Sequence, residues 1–251
     1  MRTCKAVKLA GIEVDNVTMP EAMDMLERFI SSGKPHLIVT PNPEMIVKAQ
    51  RETEFKQIIS TADLRLPDGI SMVVVSRILG VPLAERVSGI DFMLRAIKLS
   101  AEKGYRIFLL GSKPGVAETA ASRLRSQFPG LKIAGTHHGY FDIKQHREII
   151  TLINNAKPDI LFAGLGHGRQ EKWLSDNLMG INVSAAAGIG GSLDVISGNI
   201  KRAPVWAQRL YIEWLYRLVT QPWRARRQVA LLQFLWLVFR PNFTYNNAKR
   251  G

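Results

Sequence analysis

Six short apolar runs punctuate the chain, at residues 36–40, 62–66, 106–111, 131–136, 159–166 and 182–188, each closing at or beside a small or turn-forming residue. Their apolar positions are continuous rather than alternating, which is the pattern of strands covered on both faces. Between them apolar residues recur at helical spacing, for example over 90–103, 115–128 and 144–156. Strands alternating with helices imply right-handed βαβ crossovers, hence an α/β fold with a parallel sheet of about six strands and helices on both faces. Turn chemistry marks the joints at Pro41-Asn42-Pro43, Pro67-Asp68-Gly69, Pro129-Gly130 and Lys157-Pro158-Asp159. Residues 7–17 read as a small hairpin over one edge of the sheet.

The last fifty residues break this pattern. Residues 205–220 and 223–239 read as two helices interrupted at Pro222, and they hold Trp206, Trp214, Trp223 and Trp236. Arg224, Arg226 and Arg227 open the second helix. From residue 201 onward there are ten Lys or Arg against one acid, Glu213, so a fifth of the chain carries +9 of a net charge of +13. Such a segment seeks a polyanion: nucleic acid, anionic lipid or a pyrophosphate group. Its alternation of aromatic bulk with arginine fits an interfacial amphipathic helix, and equally a helical pair packed on the sheet. The longest apolar run, 229–239, is too short to cross a bilayer. We divide the chain into a core, 1–200, and a basic, Trp/Arg-rich helical appendage, 201–251.

With 46% hydrophobic and 22% charged residues, extended disorder is excluded. A lone cysteine, Cys4, excludes an internal disulfide and fits a reducing compartment. Lys5, Lys8, Glu13 and Asp15 interrupt the early apolar residues, so the start does not read as a signal peptide and a cytoplasmic location is expected.

Ligands of open α/β sheets bind outside the carboxyl ends of the strands. Several of those ends carry glycine, at Gly111, Gly164, Gly166, Gly190 and Gly191, where backbone N–H groups can approach an anion, although each alone is as readily a plain turn. Asp68 follows an apolar strand between proline and glycine, a placement suited to a partly desolvated general base and also to a turn cap. Gln170-Glu171 opens a helix after a glycine-rich strand end, and Tyr140 can stack on a planar ring or pack in the core. No Asp-x-Asp and no zinc-type His/Cys spacing is present, so no metal or other cofactor is expected. Charge on a departing diphosphate then falls to backbone amides and to Arg86, Arg202, Arg217, Arg224 and Arg227. Three rival readings remain, one of them a catalytically silent sugar-nucleotide-binding scaffold that only a turnover assay excludes. A nucleic-acid-binding protein is suggested by the basic tail, but the core lacks a basic recognition face. A nicotinamide-dependent oxidoreductase is suggested by the glycine turns, but the dinucleotide fingerprint is missing.

Taken in order, TPNPE at 40–44, ADLRLPDG at 62–69, ERVSGID at 85–91, FLLGSKPGVAE at 108–118, HHGYF at 137–141, RQEKW at 169–173, GIGGSLDVISG at 188–198, KRAP at 201–204 and EWLYRL at 213–218 resemble the WecG/TagA/CpsF family, glycosyltransferase family 26. The resemblance implies a Rossmann-like core with a C-terminal helical appendage. It also implies inverting, metal-independent transfer of an N-acetylmannosamine-type or related sugar from a UDP-sugar to an undecaprenyl-diphosphate-linked acceptor, at the inner face of the cell membrane. Asp68 matches the family's proposed base and Thr40 its helper, while Asn42, Arg86 and Gln170 match pocket positions. Arg217, Arg224 and Arg227 match appendage arginines that meet the diphosphate, and Arg202 sits at their base. One departure is Gly168-Arg169 where family members often carry Pro-Lys, which implies a looser loop. Nucleic acid is not an expected partner, and homo-oligomerisation is left open.

Overall fold

The computed structural model describes residues 5–209, 213–220 and 225–240. The first element is the expected hairpin, β1 (Ala6–Leu9) paired antiparallel with β2 (Ile12–Asp15). The six apolar runs form one sheet: β3 (His36–Val39), β4 (Leu64–Arg65), β5 (Arg106–Gly111), β6 (Lys132–His137), β7 (Ile160–Gly164) and β8 (Ala185–Gly188). Every pairing in it is parallel, in the spatial order β4-β3-β8-β7-β5-β6. Most strands are shorter than their apolar runs, because run ends such as Thr40 and Leu66 already belong to the turns that leave the sheet.

Side chains alternate across this sheet as strand geometry demands. Leu37, Val39, Phe108, Leu110, Leu161, Ala163 and Ala186 point into one core. Ile38, Ile107, Leu109, Ile160, Phe162, Ala185 and Ala187 point into the other. The first face is covered by α2 (Pro43–Arg51), α3 (Thr53–Thr61), α4 (Ile70–Ile78), α7 (His146–Ala156) and α8 (Arg169–Asn177). The second is covered by α1 (Met19–Ser32), α5 (Gly89–Lys103), α6 (Val116–Gln127) and α9 (Ser192–Ile196). This is a Rossmann-like, three-layer arrangement. Helix starts are set by side-chain caps: Thr18 and Glu21 form a capping box on α1, Asn42 accepts from Met45 N–H on α2, and Ser88 accepts from Asp91 N–H on α5.

The hairpin is fastened to the sheet edge by a buried charge. Arg65 in β4 is fully buried, donating to Asp15 at 2.6 and 3.2 Å and to Glu13 at 3.1 Å, while its own N–H donates to Asp15 at 2.8 Å.

In the appendage, α10 (Val205–Arg209), α11 (Glu213–Thr220) and α12 (Ala225–Phe239) are described. Helix α12 lies on α2, with Phe234 and Val238 buried in the first core and Arg51 donating to Gln233 Oε1 at 3.1 Å. Its Val229, Leu232, Trp236 and Phe239 are exposed, a stripe at helical spacing. One face of α12 is therefore packed on the core, and another is apolar and open. No helix among the described residues is long and apolar enough to cross a membrane.

Candidate active site

A cavity of about 600 Å³ opens at the carboxyl ends of all six parallel strands. Its walls are Thr40 and Asn42 after β3, Asp68 after β4, Ser112 after β5, Gly139 and Tyr140 after β6, and Gly164, Gly166, His167, Arg169 and Gln170 after β7. Gly190, Gly191 and Asp194 close it after β8, and Glu213, Leu218 and Leu231 of the appendage close it from outside. This volume is that of a typical small-molecule site.

Backbone hydrogen bonds between loops place the central charges. Asp68 N–H donates to Pro41 O at 3.0 Å, joining the turns after β3 and β4. Val87 N–H donates to Pro67 O at 2.9 Å, which brings Arg86 alongside Asp68. The Asp68 carboxylate accepts from Gly89 N–H, the first residue of α5, at 3.3 Å, and its Oδ1 lies 3.6 Å from Arg86 Nη2. Its side chain keeps 28% of its exposure, so it is partly withdrawn yet open to the cavity. Thr40 is buried beside it, donating to Gly188 O at 3.4 Å.

The other predicted residues divide by location. Asn42 spends its Oδ1 capping α2 and directs Nδ2 to His167 Nε2 at 3.3 Å, across the cavity mouth. Tyr140 is exposed at the rim rather than packed in the core. Gln170 lines the cavity but is buried, its amide donating to Glu171 at 2.7 Å and accepting from Gly190 N–H at 3.0 Å. A Cβ on Gly188 would fall 2.7 Å from that amide, so only glycine leaves room for it. Glu171 is fully buried behind this wall, outside the lining set, where it accepts from Gly168 N–H at 2.7 Å. Burial raises its carboxyl above the ordinary 4.5, although hydrogen bonds from Gln170 and Gly168 and the charge of Lys48 oppose the rise. The loop around Gly168, expected to be loose, is tied by these bonds on one side and by Asn42 on the other.

Gly111 also stands outside the lining set. A Cβ there would come within 2.5 Å of Gly164 O, so this glycine permits the close approach of the paired ends of β5 and β7. Arg202 donates to Asp91 Oδ1 at 2.5 Å, beside the cavity wall rather than in it. Burial works against the Asp91 charge, but hydrogen bonds from Ser88 and Arg202 and the charges of Arg202 and Arg86 outweigh it, holding the carboxyl below the ordinary 3.8. Arg224, and the side chains of Arg217 and Arg227, lie outside the described residues.

Ser112, His167, Asp194 and Glu213 are polar lining residues to which the sequence assigned no role. Ser112 sits at a left-handed φ of 57° and donates to Asp194 Oδ2 at 2.9 Å, and His167 reaches over the mouth. Glu213 approaches Arg86 at 3.6 Å. Its sequence signals are that it is the single acid of a basic segment and that it opens the EWLYRL motif. Among the described residues, no three His, Cys, Asp or Glu side chains are grouped as a metal site requires.

The family model of the glycosyl transferase WecG/TagA/CpsF family matches residues 7–248. Similar curated proteins are named N-acetylglucosaminyldiphosphoundecaprenol N-acetyl-beta-D-mannosaminyltransferase. One from Bacillus spizizenii is 36% identical over 84% of this chain and 82% of its own length. One from Bacillus subtilis is 34% identical over 90% and 88%, and one from Staphylococcus aureus is 31% identical over 97% and 96%. With a partly shielded carboxylate and a guanidinium meeting where six parallel strands end, and with matches over nearly the whole length, the chain belongs to the WecG/TagA/CpsF family of glycosyl transferases.

Proposed function

We propose that this chain moves an N-acetylmannosamine-type sugar from a UDP-sugar to a polyprenyl-diphosphate-linked N-acetylglucosamine. The observation that carries the reading is Asp68, presented to the cavity beside Arg86 in a chain whose relatives are named for N-acetylmannosaminyl transfer to N-acetylglucosaminyldiphosphoundecaprenol, names that do not state the donor's activating group. An acceptor hydroxyl gives its proton to Asp68 as its oxygen bonds to the anomeric carbon. The bond from that carbon to the diphosphate oxygen breaks, and its electron pair leaves with UDP. One displacement from the opposite face inverts the centre. Thr40 supports the same pocket. Arg86, with the Gly190–Gly191 turn letting the backbone approach closely, offsets charge on the departing diphosphate without a metal.

The chain works, in this reading, at the inner membrane surface. The exposed Val229, Leu232, Trp236 and Phe239 stripe enters the interface, and the +9 segment adds about 1 kcal/mol per basic residue near anionic lipid. Arg217, Arg224 and Arg227 then meet the acceptor diphosphate.

The test is incubation of UDP-N-acetylmannosamine with a synthetic polyprenyl-diphosphate–N-acetylglucosamine, read by mass spectrometry, with and without chelator. One added N-acetylhexosamine in both arms is expected, and Asp68→Asn should lose roughly 10²- to 10⁴-fold in kcat while still binding UDP. Near-normal turnover by that variant removes Asp68 from the role, and a chelator-sensitive rate removes the metal-free mechanism.

A further inference from the structure

Glu213 is the single acid after residue 201, yet its side chain keeps only 6% of its exposure and lines the cavity. A carboxylate withdrawn from water costs free energy unless its partners compensate, so this placement calls for a reason. Arg86 Nη2 lies 3.6 Å from Glu213 Oε2 and 3.6 Å from Asp68 Oδ1. Both separations exceed a direct charge-assisted hydrogen bond. Elsewhere in the molecule such pairs close fully, at 2.6 Å between Arg65 and Asp15 and at 2.5 Å between Arg202 and Asp91. The Arg86 guanidinium is thus divided between two carboxylates, one from the core and one from the appendage.

We propose that Glu213 is a positioning residue for the transfer: its charge draws Arg86 back from Asp68, keeping the guanidinium turned to the cavity and the carboxylate able to take a proton. Without that pull, Arg86 closes onto Asp68 as the other arginines close onto their acids. The Asp68 carboxylate then becomes a poorer proton acceptor, because a nearer positive charge favours its ionised form. This inference rests on the reading of Asp68 as general base. It also gives the appendage a role in the chemistry, since α11 supplies the counter-charge.

Other charged groups face the same region. Glu44 of α2, His167 and Arg169 at the start of α8, and Asp194 of α9 line the cavity, and Asp91 with Arg202 flanks Ser88. All are unchanged in a Glu213 variant, so a difference between the two proteins reports Glu213.

The experiment uses the full chain with UDP-sugar and lipid-linked acceptor. In Glu213→Gln, kcat is expected to fall roughly tenfold or more, a part of what a general base supplies. The acidic limb of the kcat profile is expected to move to lower pH, and Glu213→Asp should recover most of the rate. In an Arg86→Ala background, Glu213→Gln should change neither rate nor profile. An unmoved acidic limb, or the same loss in the Arg86→Ala background, overturns the proposal and leaves Glu213 a folding residue. Asp68→Asn, run alongside with UDP affinity by calorimetry, separates the two failures. If Asp68→Asn turns over normally, the base assignment falls, whereas its inactivity with an unmoved limb in Glu213→Gln condemns Glu213 alone.

Discussion

Replacing Phe234 by alanine tests whether the appendage is a separately docked piece that shapes the cavity. Phe234 is fully buried and Val238 nearly so, and they are the residues of α12 set deepest in the core beside α2. Each contributes about 1.5–3 kcal/mol by burial. The Arg51–Gln233 hydrogen bond, exposed, adds about 0.5–1.5 kcal/mol. Removing the phenylalanine ring costs about 3–5 kcal/mol, the largest single loss in a contact that Leu231, Leu235 and Leu237 share with smaller burial. The α2 side of the core keeps Met45, Ile46 and Ala49 packed on the sheet without it. Undocking of α12 is therefore expected, not global unfolding. Hydrogen exchange should show lost protection in α12 and on the face of α2 beneath it, while the melting temperature of the core moves by no more than a few degrees. Activity should fall at least tenfold, because Leu231, Leu218 and Glu213 leave the cavity wall with the appendage. If α12 exchanges only with global unfolding and the whole protein loses about 3–5 kcal/mol in urea, the appendage is part of one cooperative core and the reasoning fails.

Asp15→Ala strips the main partner from the fully buried Arg65 and should cost about 3–5 kcal/mol in urea unfolding, whereas the double replacement Asp15→Leu with Arg65→Met should cost far less. Glu171 binds its proton more tightly in the folded protein than in the unfolded chain, so its stabilising contribution is present below 4.5 and is lost as pH rises from there through its raised value. Melting temperatures of Glu171→Gln and the parent across acid pH should diverge in that sense, the parent losing ground as pH rises, and parallel curves would contradict the burial argument. Gly168 holds φ at 82° and donates its N–H to Glu171, so Gly168→Pro should destabilise by about 3 kcal/mol or more in urea, well beyond Gly168→Ala.

The sheet was legible because most buried strands write themselves as continuous apolar runs, and the sites were legible because ligands gather where such runs end. Thr40, Asn42, Asp68, Gly166 and Gln170 all stand at those ends and all line the cavity. Arg65 shows where this reading stops. It sits inside a strand pattern as an isolated charge, and its partner Asp15 is fifty positions away, paired only once the hairpin has folded over the edge. Local pattern contains no trace of that contact. The basic tail was read through its charge and tryptophans, yet among the described side chains of α11 the one that approaches a core charge is its one acid.

The glycine turns and the acid beside them mark a different boundary. Gly111 looked like part of an anion cradle, but its missing side chain serves the close approach of the paired ends of β5 and β7, a demand of backbone proximity that composition cannot distinguish from ligand approach. Gln170 and Glu171 are adjacent in sequence at a strand end, and only one lines the cavity. Successive residues on a helix point about 100° apart, so a pair opening α8 must send one side chain toward the crevice and the other behind it. Gln170 bridges the two, with its oxygen on Gly190 N–H and its nitrogen on the buried carboxylate. The loop after β8 is thereby held in place by a residue twenty positions upstream, and the Glu171 carboxylate sets that amide's orientation. Glu171 thus acts on the cavity at one remove, through Gln170, which is why an acid at a strand end reads as a ligand group in sequence and stands as a support in three dimensions.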